Sequence, residues 1–184
     1  MAALSGDYTD CSILIYDQAG NHLGSTVIKY YDKVSLRIEV QALPPNLGVS
    51  DFCKVLILST PSPCEYQGRI NKEGARKTIA MFQGHEKESR AAARYKVNYP
   101  AMIENLVYEG RAYPLLTPLE VGLINISQSG VRFSAPNNSL SEDDKFQMRM
   151  KISESDKLLI AEVVNHKDNE MTASEYGCRF LVGN

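Results

Sequence analysis

Two seven-residue stretches, ValSerLeuArgIleGluVal at 34–40 and PheGlnMetArgMetLysIle at 146–152, place an apolar residue at every second position. A period of two matches the pleat of a strand with one buried face, whereas a helix would scatter the same residues around its axis. The first stretch predicts Val34, Leu36, Ile38 and Val40 on one face, with Ser35, Arg37 and Glu39 on the other. The second predicts a core side made of Phe146, Met148, Met150 and Ile152. The two stretches lie in different halves of the chain, so both halves are expected to fold as β-structure.

The segments between them agree. SerIleLeuIleTyr at 12–16 and ThrValIleLysTyrTyr at 26–31 carry β-branched and aromatic residues, divided by AlaGlyAsn at 19–21, a turn signal. Pro44 and Pro45, with Gly48 behind them, predict a loop. LysValLeuIleLeu at 54–58 is apolar on both faces and reads as a buried strand, followed by a ProSerPro loop and short strands near 66–70 and 78–82. About six strands at this spacing make a small antiparallel barrel or sandwich. From Gly84 the chain turns polar and loses alternation, which predicts a linker over 85–94. Strands resume at 95–102, then at 120–126, 131–133, 146–152, 158–164 and 176–182, with turns around 109–111 and 127–130. The expectation is an all-β chain: an N-terminal antiparallel β domain at 1–84, resembling a split barrel, a linker at 85–94, and a second antiparallel β-barrel at 95–184.

Charge and motif content remove several function classes. In 184 residues, 20 basic groups stand against 22 acidic ones, for a net charge of -2. A polymeric nucleic acid partner needs a broad basic face, which this balance does not supply, whereas a small anion needs only a local patch. The longest strongly apolar run is ValLeuIleLeu at 55–58, and Asp7 and Asp10 occupy the place of a basic leader region. The reading is a soluble, cytoplasmic protein with no membrane insertion. Cys11, Cys53, Cys64 and Cys178 form no C-x-x-C pair, and His22, His85 and His166 lie far apart, so reduced thiols and no metal site are expected. G-x-S-x-G, H-E-x-x-H, P-loop and G-x-G-x-x-G signatures are all absent, which argues for a non-enzymatic protein without a cofactor.

Two short patterns carry chemistry. ArgAlaAlaAlaArg at 90–94 spaces two of the nine arginines four apart. By chance about 0.4 such pairs are expected, so the pair alone decides nothing. AsnIleSerGlnSerGly at 125–130 fits [D/N]-x-S-x-x-G, for which about 0.1 chance matches are expected. A guanidinium can fork onto a phosphate, fork onto guanine O6 and N7, and stack on a purine. On an extended linker Arg90 and Arg94 would wrap a ligand, and on a helix they would share a face; either brings two forks to one anion. Asn125 can offer its amide to a guanine edge, while Ser127 and the turn's N–H groups suit a phosphate or ribose oxygen. Gly130 lets the backbone turn or approach closely. Arg132 either adds positive potential or faces solvent from a strand, and Tyr95 either stacks near a ligand or packs.

ArgAlaAlaAlaArg, AsnIleSerGlnSerGly and GlyCysArgPhe at 177–180, in this order, resemble the PilZ domain over roughly residues 86–184. The resemblance implies a β-barrel receptor for cyclic di-GMP, with Arg90, Arg94, Asn125, Ser127 and Gly130 as ligand-binding residues. The first 84 residues are similar, in strand order and position, to the barrel that precedes this domain in YcgR-like flagellar brake proteins. That likeness implies an effector whose domains rearrange on binding to regulate motility or related surface behaviour, with a protein partner such as the flagellar motor. The competing readings are a flavin-binding split-barrel oxidoreductase and a PilZ-type interaction module that binds no ligand. The number of cyclic di-GMP molecules per site stays open.

Overall fold

The computed structural model describes residues 7–49, 51–59, 63–82, 94–153, 155–168 and 172–181. Among them all regular structure is strand, arranged in two compact units. The first unit carries β1 (Ser12–Tyr16), β2 (His22–Asp32), β3 (Arg37–Val40), β4 (Phe52–Ile57), β5 (Cys64–Glu73) and β6 (Arg76–Phe82). They close an antiparallel barrel in the order β1-β2-β3-β6-β5-β4. Its interior is largely aliphatic, with Ile13, Ile15, Ile28, Ile38, Val55, Ile57, Ile70 and Ile79 packed together and Tyr8, Tyr31 and Tyr66 among them. At one position the walls approach so closely that only a bare backbone fits. A Cβ on Gly68 would lie 2.6 Å from the Ile79 Cγ2 and 3.1 Å from the Cys53 Sγ.

The alternation at 34–40 does not become one strand. Residues 33–36 form a turn, Val34 is 95% exposed, and Leu36 has a positive φ of 51°. The cause is the carboxylate of Asp32, which accepts the backbone N–H of Val34 at 2.9 Å and the hydroxyl of Ser35 at 2.7 Å. A side chain that satisfies the backbone locally competes with the ladder and stops the strand. Only Ile38 and Val40 of the expected face reach the core.

The second unit carries β7 (Arg94–Lys96), β8 (Pro100–Tyr108), β9 (Arg111–Ser127), β10 (Gly130–Pro136), β11 (Lys145–Ile152), β12 (Ser155–Asp168) and β13 (Ala173–Phe180). The order β10-β13-β12-β11-β8-β9 is closed by pairing of β9 with β10, and β7 adds to β9. The expectation of two antiparallel β-barrels is met. Phe146, Met148, Met150 and Ile152 are all buried, as the second alternating stretch requires. The Phe133 ring anchors this core, stacked on Tyr176 at 5.5 Å and edge-on to Phe146 at 5.8 Å. Glu109 and Gly110, both at positive φ, join β8 to β9 in a tight hairpin whose twist matches the strands. The start of β9 was invisible to pattern reading. Pro114 and Pro118 interrupt it, and residues 115–118 face the single residue 104 across a bulge.

Phe133→Ala should cost about 3–5 kcal/mol through lost burial and the cavity it leaves. Val34→Ala should stay within about 0.5 kcal/mol. Equilibrium urea unfolding checks both, and a core-sized loss at Val34 would restore 34–40 as a strand.

Candidate functional site

Two rows of cross-strand partners run over the outer face of the second barrel. The first runs Lys96, Asn125, Arg132, Gly177, Asn165 across β7, β9, β10, β13 and β12. The second pairs Arg94 with Ser127 and, beyond the 127–130 corner, Gly130 with Arg179 and Arg179 with Glu162. The intervening residues Tyr95, Ile126, Val131, Cys178 and Val163 are buried, as the alternation of a half-buried sheet demands.

Gly130 and Gly177 occupy neighbouring strands in the middle of these rows, and their missing side chains leave a depression. The resulting pocket, about 460 Å³, has Arg94, Arg132 and Arg179 with Asn125 and Asn165 among its walls. Such a volume falls in the range of small-molecule sites. Three guanidiniums at one hollow make a cationic patch on a chain whose net charge is -2.

Each group is set by its local backbone. Both asparagines directly follow a bulge: Ile124 is the extra residue before Asn125, and Val164 the extra residue before Asn165. A bulge re-aims the next side chain, and here both are turned onto the outer face. At the corner, the Ser127 hydroxyl accepts the N–H groups of Ser129 at 3.3 Å and Gly130 at 3.2 Å, and lies 3.3 Å from the Gly130 carbonyl oxygen. Ser127 is 5% exposed, so its hydroxyl builds the corner. Gly130 is required for space, since a Cβ there would overlap the backbone carbonyl oxygen of Cys178. Burial pushes the Cys178 thiol up to about 12, so it stays protonated at ordinary pH.

The arginines differ in how they are held. The Nε and Nη2 of Arg179 both reach the same Glu162 carboxylate oxygen at 2.6 Å, and Glu162 is nearly buried beneath it. Arg132 pairs with Glu175 at 3.5 Å. Arg94 has no ionic partner among the described residues and is exposed. Of the expected site residues, Arg94, Asn125, Ser127 and Gly130 therefore meet at one pocket, while Arg90 lies outside the described residues. Asn165, Gly177 and Arg179 were not expected there. The available signals were a polar Asn closing the apolar run before it and the GlyCysArgPhe stretch at 177–180, which holds Gly177 and Arg179.

A family model described as the PilZ domain matches residues 88–184. No curated protein matches the chain. Among solved structures, similar folds include the K. pneumonia MrkH–c-di-GMP complex, at 14% identity over 95% of this chain and 80% of that one, with a TM-score of 0.40. The inhibitor of motility MotI/DgrA from Bacillus subtilis aligns at 11% identity, 97% and 90% coverage and a TM-score of 0.39. YcgR in complex with c-di-GMP from Escherichia coli aligns at 13% identity, 94% and 76% coverage and a TM-score of 0.37.

Gly130→Ala should destabilise the second barrel by about 1–3 kcal/mol, because the new methyl meets backbone that cannot step aside. Ser129→Ala, at an exposed position of the same corner, should stay within about 0.5 kcal/mol. Thermal melts of the two variants check the contrast, and equal melting points would refute the steric account.

Proposed function

The chain belongs to the PilZ domain family, and from that premise we propose that it is a non-enzymatic receptor for cyclic di-GMP. The observation that carries the reading is the convergence of Arg94 with the Asn125–Gly130 corner on one outer-face pocket. Cyclic di-GMP presents two phosphates and two guanines. Arg94, exposed and without an ionic partner among the described residues, is available to fork onto a phosphate or onto guanine O6 and N7. Asn125 offers an uncharged amide, whose oxygen accepts from guanine N1 and N2 without repelling the phosphates. Ser127 and Gly130 shape the surface against which the ligand lies. Arg90, four residues before Arg94, is proposed as the second fork.

The magnitudes suit a signalling receptor. Each bidentate guanine contact is worth about 1–3 kcal/mol, and each stacked base about 1–3 kcal/mol. After the cost of association, micromolar binding at about -8 kcal/mol is within reach. The arginine pair stands at the start of the second unit, next in sequence to the first, so ligand capture there is proposed to shift their arrangement and expose a surface for a protein partner. Such a shift requires that the ligand bind one arrangement better than the other. Control of motility or a related surface behaviour is the proposed output.

Calorimetric titration should give micromolar or tighter binding of cyclic di-GMP to the intact chain. Arg94→Ala should weaken it about 10- to 100-fold, and cyclic di-AMP and GTP should give no comparable heat. A wild-type chain that does not bind cyclic di-GMP would reject the assignment. Small-angle scattering at saturating ligand should differ from the ligand-free profile, and superimposable profiles would remove the rearrangement while leaving the receptor in place.

A further inference from the structure

Much of the pocket wall lies on β12 and β13, outside the 90–94 and 125–130 patterns. Resting on the receptor reading above, we infer that Asn165 and Arg179 form a second guanine-recognition wall, opposite the one built by Arg94 and Asn125.

Asn165 occupies the same cross-strand row as Asn125, three strands away, or about 14 Å along the sheet. Each follows a bulge that turns its amide outward. Between them stand Arg132 and Gly177. Gly177 does not have a positive φ, so no backbone strain calls for glycine there. What it provides is room: a Cβ would lie 2.6 Å from the Asn165 Oδ1, so the bare position lets the amide lie across the strand into the pocket. The uncharged amide oxygen is the acceptor that guanine N1 and N2 donors require.

Arg179 supplies the complementary donors. Glu162 grips its Nε and Nη2 through one oxygen, while the side chain remains 65% exposed. Nη1 has no partner among the described residues. A long side chain that is already held loses less freedom when a ligand arrives than a free one does. Guanidinium to guanine O6 and N7 is the commonest base-specific contact of arginine. Glu162 acts only as a positioning residue, because Arg179 lies between it and the pocket.

The pocket thus offers two amide and guanidinium pairs, one on each flank, and cyclic di-GMP carries two guanines. The second wall would read either the other guanine of the same molecule or a guanine of a second molecule. Both share one chemistry, and stoichiometry separates them: one ligand per chain for the first, two for the second.

The test is calorimetric titration of the full chain with cyclic di-GMP, cyclic GMP–AMP and cyclic di-AMP. Wild type should prefer cyclic di-GMP over cyclic GMP–AMP by roughly 5- to 150-fold, because only the former fills both walls. Asn165→Ala should lose a similar factor for cyclic di-GMP and bind the two dinucleotides within about threefold of each other. That collapse of preference is a readout that mere loosening of the barrel would not produce. Arg179→Ala should behave likewise, and Arg179→Lys, which keeps a cation on Glu162 but removes the fork, guards against a folding defect. If wild type binds while all three variants stay within twofold in affinity and keep its preference, the second wall is overturned and the receptor reading stands. If wild type does not bind, both fall.

Discussion

The approach of the Gly130 backbone to the Cys178 carbonyl is the constraint on which the site depends. It lets β10 start directly at the 127–130 corner and lie against β13 from its first residue, with Gly130 paired to Arg179. A side chain at 130 would force the two strands apart where the corner meets β13. The closure of the barrel and the hollow on its surface are thus products of one contact, because the atom missing from Gly130 is also missing from the pocket floor. Ser127 completes the arrangement by satisfying the N–H groups that a two-strand corner would leave without partners.

Electrostatics follow from this geometry. Arg132 and Arg179 are each answered by a carboxylate, Glu175 and Glu162, neither of which lines the pocket. The carboxylates therefore hold two guanidiniums on the pocket wall and keep the cluster from repelling itself in the absence of ligand. Arg94 has no such anchor among the described residues. It is also the residue at the start of β7, directly after the segment that carries Arg90. The fixed cations sit on β10 and β13 and the unanchored one at the start of β7, so the cationic wall is held by carboxylates on one side only.

The fold was legible in the sequence wherever alternation was backed by long-range burial. The stretch at 146–152 delivered all four of its apolar residues to the core, whereas at 34–40 an equally regular alternation was broken by one carboxylate two residues upstream. Periodicity reports what a segment can bury, and local hydrogen bonding decides whether it does. The prolines of 111–119 misled in the other direction, since a wide bulge let the strand continue past them. At the site, Arg94, Asn125, Ser127 and Gly130 were legible because they stand in two short local patterns. Asn165 reaches the pocket through the pairing of β12 with β13 and a bulge at Val164, which leave no spacing rule in the chain, and Arg179, although it stands in the GlyCysArgPhe stretch, owes its place there to the same pairing.

This difference in legibility separates two kinds of work. Ser127 and Gly130, the parts of the 125–130 pattern most constrained by packing, shape the corner, and their atoms are spent on backbone contacts within the barrel. The polar groups left to face the pocket are side chains that the barrel merely positions: the guanidiniums of Arg94, Arg132 and Arg179 and the amides of Asn125 and Asn165. Each of these can change without disturbing closure, because none contributes to the core. Within the 125–130 pattern, Ser127 and Gly130 thus specify that a hollow exists, whereas Asn125 and the arginines furnish its polar wall. Substitutions on the outer face of β12 and β13 can therefore alter the pocket wall while the fold and the corner stay intact.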